Sequence, residues 1–164
     1  MIIRLSAGVV ALAAFALPAS AQVKAATAAP RISVSAPNAQ ALVLSIARQH
    51  PEARLIGLHV DAPDGKGNAI IACTDPGRVG KLSSKVDLAI IGQPGMSVAA
   101  DQKKQVYEAM LPISDADGHA IGMVVEQMPL SSTADESAAL RMALTIRADL
   151  QKGIKSQAWL FKAG

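Results

Sequence analysis

From Lys104 to Gln127 the chain alternates between apolar and polar positions on both sides of one polar cluster. Before the cluster, Tyr107, Ala109, Leu111 and Ile113 fall on one face, and Val106, Glu108 and Met110 on the other. After it, Ile121, Met123 and Val125 alternate with Ala120, Gly122 and Val124. A period of two around a turn cluster predicts two long strands paired as a hairpin. The cluster itself, Ser114-Asp115-Ala116-Asp117-Gly118, suits a type I turn closed by a glycine at positive φ.

The other elements arrange themselves around this hairpin. Ala39, Leu42, Val43, Ile46 and Ala47 recur at helical spacing. Ser35 is placed to cap that helix, Pro37 lies in its first turn, and Pro51 ends it near Gln49-His50. Arg54 to Val60 and Asn68 to Thr74 read as two strands joined by the turn-rich segment 61–67, and Asp75-Pro76-Gly77 breaks the second. Lys85 to Ile91 reads as a short helix stopped by Gly92, and Met96 to Ala100 as a weak strand after the Pro94-Gly95 turn. Thr133 and Glu136 have capping-box spacing and open a last helix, with Leu140, Ala143, Leu144 and Leu150 on its packed face and Gly153 as its C-cap. Trp159-Leu160-Phe161 is expected to fold back as an apolar plug or a final strand. The order helix, strand, strand, short helix, three strands, helix predicts an α+β fold: one antiparallel sheet of about five strands, with an N-terminal helix, a short covering helix and a C-terminal helix.

The amino terminus changes the picture of where this fold resides. Arg4, the apolar run Ala7 to Leu17 and the small-x-small site Ala19-Ser20-Ala21 form a secretory signal over residues 1–21, with cleavage between Ala21 and Gln22. A periplasmic protein with no membrane span after cleavage follows, with a flexible lead over 22–34 and a single domain over 35–164. Cys73 is the sole cysteine, so no internal disulfide is available and apolar burial must hold the domain together. The formal net charge is +3, or +2 without Arg4, and the basic residues are scattered without interleaved aromatics. Nucleic acid is therefore excluded as a partner.

Several segments together resemble a known family. They are His50-Pro51-Glu52 at a helix end, the strand Leu55 to His59, Ile70 to Asp75 with Val79-Gly80-Lys81, and Leu111 to Gly118 followed by Ile121-Gly122. This pattern resembles the single Cache domain, a PAS-like extracellular sensing fold, across about Ala36 to Met128. The resemblance implies a ligand held between the concave sheet and the helix and loop that cover it. The chain shows no output domain of the kind such receptors carry, so it resembles a free-standing periplasmic version. It also lacks the arginine-tryptophan-tyrosine-aspartate pattern of double-Cache receptors, and amino-acid recognition is not carried over.

On that basis the expected ligand-binding residues are His59, Cys73, Thr74, Asp75, Arg78, Lys81 and Tyr107. Arg78 and Lys81 suit a small carboxylate, the arginine through its bidentate fork. Each also has a plain structural reading: Asp75 and Arg78 can stabilise their own loop, His59 can face solvent, and Cys73, which the alternation groups with Ala69 and Ile71, can be an inert buried thiol. No metal or cofactor is expected, because His50, His59 and His119 show no paired ligand spacing. No catalytic motif is present: no G-x-S-x-G, no metalloprotease His-Glu pair and no phosphate-binding glycine loop. The expectation is a non-catalytic periplasmic sensor or accessory protein that binds a small organic ligand such as a carboxylate. The alternatives are an envelope interaction module with a protein partner and no small ligand, and a redox protein using Cys73.

Overall fold

A computed structural model describes residues 29–91 and 95–163, with the backbone alone at Asp64. The secretory signal, its cleavage site and Gly92 as a helix stop lie outside the described residues. The elements are α1 (Pro37–Gln49), β1 (Leu55–Asp61), β2 (Asn68–Cys73), α2 (Lys85–Ile91), β3 (Ser97–Asp101), β4 (Val106–Ser114), β5 (Ala120–Pro129), α3 (Glu136–Gly153) and the single turn α4 (Gln157–Leu160). Short 3-10 turns at Pro63–Gly65 and Pro76–Arg78 follow β1 and β2. The five strands form one sheet in the order β2-β1-β5-β4-β3, antiparallel throughout. The expected α+β architecture is the one observed. No described helix is long and apolar enough to cross a membrane.

The β4–β5 hairpin lies inside the sheet and carries its longest strands. Its turn is closed by the Gly118 N–H donating to the Asp115 carbonyl at 3.1 Å, with Gly118 at φ +84°. This is the predicted turn, and a residue with a Cβ pays strain at that φ. Two faces result. Ile56, Leu58, Leu111, Ile113 and Val124 point toward α1 and α3 and are essentially sealed from solvent. Opposite them, α1 contributes Ala39, Val43 and Ile46, and α3 contributes Ala139, Ala143, Ile146 and Leu150. Each set repeats at three- and four-residue spacing, a single stripe per helix. Leu160 of α4 is fully buried against this core, so the terminal apolar plug is a helical turn and not a strand.

Two helix starts differ from the sequence expectation. The N-cap of α1 is Ala36, which has no side-chain acceptor, and Ser35 does not cap it. At α3 the cap is Asp135, whose carboxylate accepts from the Ala138 N–H at 2.7 Å. Asp outcompetes Thr here because its carboxylate also meets the positive end of the helix dipole. Thr133 is instead buried just upstream of the helix. The far end differs too: the helix runs through Gly153, where a Cβ would collide with Leu42 of α1, and Ile154 is the C-cap.

The amino-terminal lead is partly tied down. The Ile32 N–H donates to the Gly80 carbonyl at 2.8 Å, and the Leu82 N–H to the Pro30 carbonyl at 3.0 Å. Residues 80–82 in turn flank β2, with Ala69 and Leu82 forming a bridge.

Glu126 lies on the helix-facing side of β5, across from Ile56 and Ala109. It is fully buried and its carboxylate oxygens take no hydrogen bond among the described residues. Burial pushes its pKa well above the ordinary carboxylate value, with Arg147 of α3 opposing that shift.

Candidate ligand-binding site

The second face of the sheet is covered thinly. Residues 78–84 and α2 cross it, and α2 buries none of its own side chains. The start of α2 is fixed by reciprocal capping: the Ser84 N–H donates to Asp87 at 2.7 Å, and the Asp87 N–H to the Ser84 hydroxyl at 3.2 Å. A cavity of about 210 Å³ lies between this cover and the sheet. Its floor is His59 of β1, Ile70 of β2, Glu108 and Met110 of β4, and Val125 of β5. Its walls are Arg78, Lys81, Leu82, Ser84, Asp87 and Lys104.

The floor follows from strand register. Glu108 pairs with Gln127, Met110 with Val125, and His59 with Met123, which puts alternate residues of three strands on one face. The register slips once, between Leu58 and His59 against β2, where Leu58 pairs with Ala72 but His59 with Ile70. The bulge leaves Ile71 unpaired and reverses the alternation of β2 on either side of it. Ile70 and Cys73 therefore share a face although they are three residues apart, and both pack with Leu55 and Val79.

His59 is buried and its ring orientation is set by a chain of hydrogen bonds. Asn68 Nδ2 donates to the Asp61 carboxylate at 3.0 Å, which fixes the Asn68 amide with Oδ1 as the acceptor. The Ser83 hydroxyl donates to that Oδ1 at 2.6 Å. Ser83 Oγ lies 2.8 Å from His59 Nδ1. A hydroxyl has one proton, and here Asn68 takes it, so Ser83 must accept from His59 Nδ1–H. Burial lowers the His59 pKa, and the nearby Lys81 charge lowers it further, against the raising influence of Asp87 and Glu108.

The charges around the cavity are unevenly committed. Lys104 pairs with Asp101 and Glu108, each at 3.0 Å, and Glu108 also accepts from Gln127 at 2.7 Å. These bonds raise the Lys104 pKa, with Asp101 the largest influence. Arg78 Nε lies 3.3 Å from Asp75. The Lys81 ammonium makes no hydrogen bond or ion pair with the described residues. Arg78 and Lys104 thus have carboxylate partners, and Lys81 is the lining cation without one among the described residues.

A larger cavity, about 690 Å³, is an open groove between the start of α1 and the end of β2. It is mostly apolar, and its one amide, Gln40, is committed to the Cys73 backbone in both directions, at 2.9 and 3.1 Å. The smaller cavity holds the convergent charged groups and is the better ligand site.

Of the residues expected to bind ligand, His59, Arg78 and Lys81 meet at this cavity. The other four do not line it. Asp75 stabilises its own turn, accepting from the Gly77 N–H at 3.0 Å and from Arg78. Thr74 borders the open groove and its hydroxyl accepts from the Ile56 N–H at 3.1 Å. Tyr107 lies on the opposite face, half-buried against the helix-side core. Cys73 is buried with Leu55 and Ile70 and packed by Val79, and burial raises its thiol pKa. Ser83, Asn68, Lys104 and Glu108 belong to the site and were not singled out from sequence. Serines 83 and 84 look like ordinary loop serines, and only the fold brings Ser83 to His59. Asp115, Asp117 and His119 also cluster, with ligand atoms within 4.8 Å of one another, but the Asp115 carboxylate is occupied by the hairpin turn.

No family model and no curated protein matches the sequence. Similarity appears among solved structures. The GAF domain of an Acinetobacter phosphoenolpyruvate-protein phosphotransferase is 15% identical, with a TM-score of 0.49, over 74% of this chain and 82% of that one. The reduced form of fRMsr from Staphylococcus aureus is 14% identical, TM-score 0.49, over 70% and 82%. A type II free methionine-R-sulfoxide reductase from Thermoplasma acidophilum is 13% identical, TM-score 0.43, over 71% and 92%. These neighbours correct two expectations. They are a GAF domain, fRMsr and a sulfoxide reductase, not Cache domains, so the single-Cache resemblance is not upheld, and the five-stranded antiparallel α+β sheet stands as described. The hairpin motif that suggested Cache encodes a turn and an antiparallel pair, which several sheet folds share. Because reductases stand among the neighbours, the expectation that the protein is not an enzyme is withdrawn as well.

Proposed function

We propose that the protein binds a small organic anion, a carboxylate, in the cavity between the sheet and the segment formed by residues 78–84 and α2. The observation that carries this reading is the position of Lys81: an ammonium with no ion pair among the described residues, at a partly enclosed cavity beside Arg78 and the buried His59. A carboxylate would be held by the Lys81 charge and a guanidinium hydrogen bond from Arg78, with Met110, Val125 and Ile70 packing its carbon chain. The volume equals about seven water molecules at ~30 Å³ each, which suits an acid of a few carbons.

The same reading places the protein in the periplasm as a single domain over 35–164, exported through residues 1–21 and cleaved after Ala21. Mass measurement of protein recovered from the periplasmic fraction tests this, and a mature mass beginning at Gln22 is expected. Binding is tested by calorimetric titration with short-chain carboxylates against the protein and a Lys81→Met variant. Saturable binding that the variant loses supports the assignment, and binding that survives the substitution places the ligand elsewhere.

A further inference from the structure

We infer that the ligand is a hydroxycarboxylate, because the Asp61–Asn68–Ser83 chain holds His59 as the Nδ1–H tautomer and leaves its Nε2 as a hydrogen-bond acceptor beside the cation-lined cavity. This deepens the anion-site reading and rests on it.

Donors and acceptors fix the tautomer. Asn68 is fixed by donating to Asp61 at 3.0 Å, Ser83 by donating to Asn68 at 2.6 Å, and His59 Nδ1 has only the Ser83 oxygen to meet, at 2.8 Å. The neutral imidazole carries one proton, so Nε2 holds a lone pair. No described residue donates to it. The apolar floor residues Ile70, Met110 and Val125 have no donors on their side chains. A bare carboxylate brings two more acceptors and no donor, and it would offer Nε2 nothing in place of the water it displaces. A ligand with an O–H next to its carboxylate satisfies both ends at once, with its anionic group toward Lys81 and its hydroxyl toward Nε2.

The charge count favours a neutral donor over an ammonium. Glu108 is already occupied by Lys104 and Gln127, and Asp87 by the Ser84 backbone. An amino acid would bring a second ammonium beside Lys81, which has no carboxylate partner among the described residues. Burial lowers the His59 pKa and so favours the neutral ring, whereas an imidazolium would donate from both nitrogens.

The test has two readouts. Long-range 15N–1H correlation spectra of the ligand-free protein at pH 7, with His59 assigned by comparison with a His59→Phe variant, should show Nδ1 protonated and Nε2 bare. In a Ser83→Ala variant that tautomer preference should be lost. The second readout titrates matched acids: lactate against propionate, malate against succinate, and alanine as the ammonium-bearing control. At least one hydroxy acid should bind about tenfold or more tightly than its parent, since a site built for a hydroxyl rejects the analogue that lacks it. Alanine should bind no better than propionate. His59→Phe should erase the preference within a pair, and Lys81→Met should weaken both members alike. An Nε2–H tautomer or an imidazolium in the wild-type spectra overturns the inference, as does equal binding within every pair while Lys81→Met still weakens them. If no acid binds and Lys81→Met changes nothing, the anion site itself is overturned.

Discussion

A Cβ at position 122 would clash with the carbonyl oxygen of His59. Gly122 of β5 lies against the β1 backbone at His59 and Val60, with φ at +155°, and only the absence of a side chain allows the strands to meet there. The glycine that closes the sheet therefore also positions the histidine at its ligand face. Gly122→Ala should lower stability by roughly 1–3 kcal/mol, the usual cost of overpacking, and should weaken any carboxylate response by displacing His59. Gly118→Ala is the comparison. Nothing lies within 4 Å of its added Cβ, so only the φ of +84° is strained, at about 1 kcal/mol. Denaturant titration of both variants checks the order, and an equal cost would mean that the Gly122 contact relaxes easily.

His59 predicts a pH dependence with a definite sign. Its folded pKa lies below the unfolded value of 6.5, because burial disfavours the imidazolium. As pH falls below about 6.5, the unfolded chain takes up a proton that the folded chain refuses, so stability falls. The contribution is complete above 6.5 and is lost toward the folded pKa. Asp87 and Glu108 narrow that window and Lys81 widens it. A His59→Gln variant should lack this component, so wild-type and variant stability curves should diverge from pH 6.5 downward. Parallel curves would contradict the buried neutral imidazole.

Glu126 predicts the opposite sign. Its pKa is raised well above 4.5 in the folded chain, chiefly by desolvation, with Arg147 pulling the other way. Above about pH 4.5 the unfolded carboxyl ionises while the folded one holds its proton, so folding becomes less favourable as pH rises toward the folded pKa. Glu126→Gln removes the titration and keeps the shape. Its stability relative to wild type should improve as pH rises above 4.5, read from melting temperatures at matched ionic strength. A constant difference between the two proteins would show that Glu126 is paired and ionised.

The start of α3 provides a separate check on the helix cap. Asp135→Ala should cost about 1 kcal/mol through loss of the bond to the Ala138 N–H. Thr133→Val should cost little, because the Thr133 hydroxyl is buried without a partner among the described residues. The reverse ranking would restore Thr133 as the cap.

Much of this fold is legible in the sequence because it is written in local periodicity. The alternation through Val106–Ile113 assigns Glu108 and Met110 to one face and Leu111 and Ile113 to the other, as observed. Arg78 and Lys81 enter through the family resemblance, and the proline-glycine break that ends β2 places them in the covering segment. The bulge at Ile71 is not legible, since one extra residue inverts a period of two without any signature in composition, and it moves Cys73 off the face the alternation assigns. Tyr107 fails as a ligand residue on the same ground of facing, because its alternation partners are core residues. Ser83 and Asn68 escape notice because their role depends on a register that brings residues 59, 68 and 83 together, which no local pattern encodes. The single-Cache resemblance rests on a helix end, two strand segments with the loop at 79–81, and above all the hairpin turn with its flanking strands, features that report local geometry and are shared across sheet folds.

Lys81 makes the sheet-face cavity an anion site in this reading. A thermal-shift titration with short carboxylates on wild-type protein and Lys81→Met tests it, and the variant should keep its fold because the Lys81 side chain makes no hydrogen bond or ion pair with the described residues. The account predicts a saturable rise in melting temperature with at least one carboxylate, reaching about 2.7 kcal/mol of added stability at a hundredfold excess over the dissociation constant, and its loss in the variant. A flat response across the carboxylates in protein that unfolds cooperatively, or a rise that Lys81→Met retains in full, would contradict it.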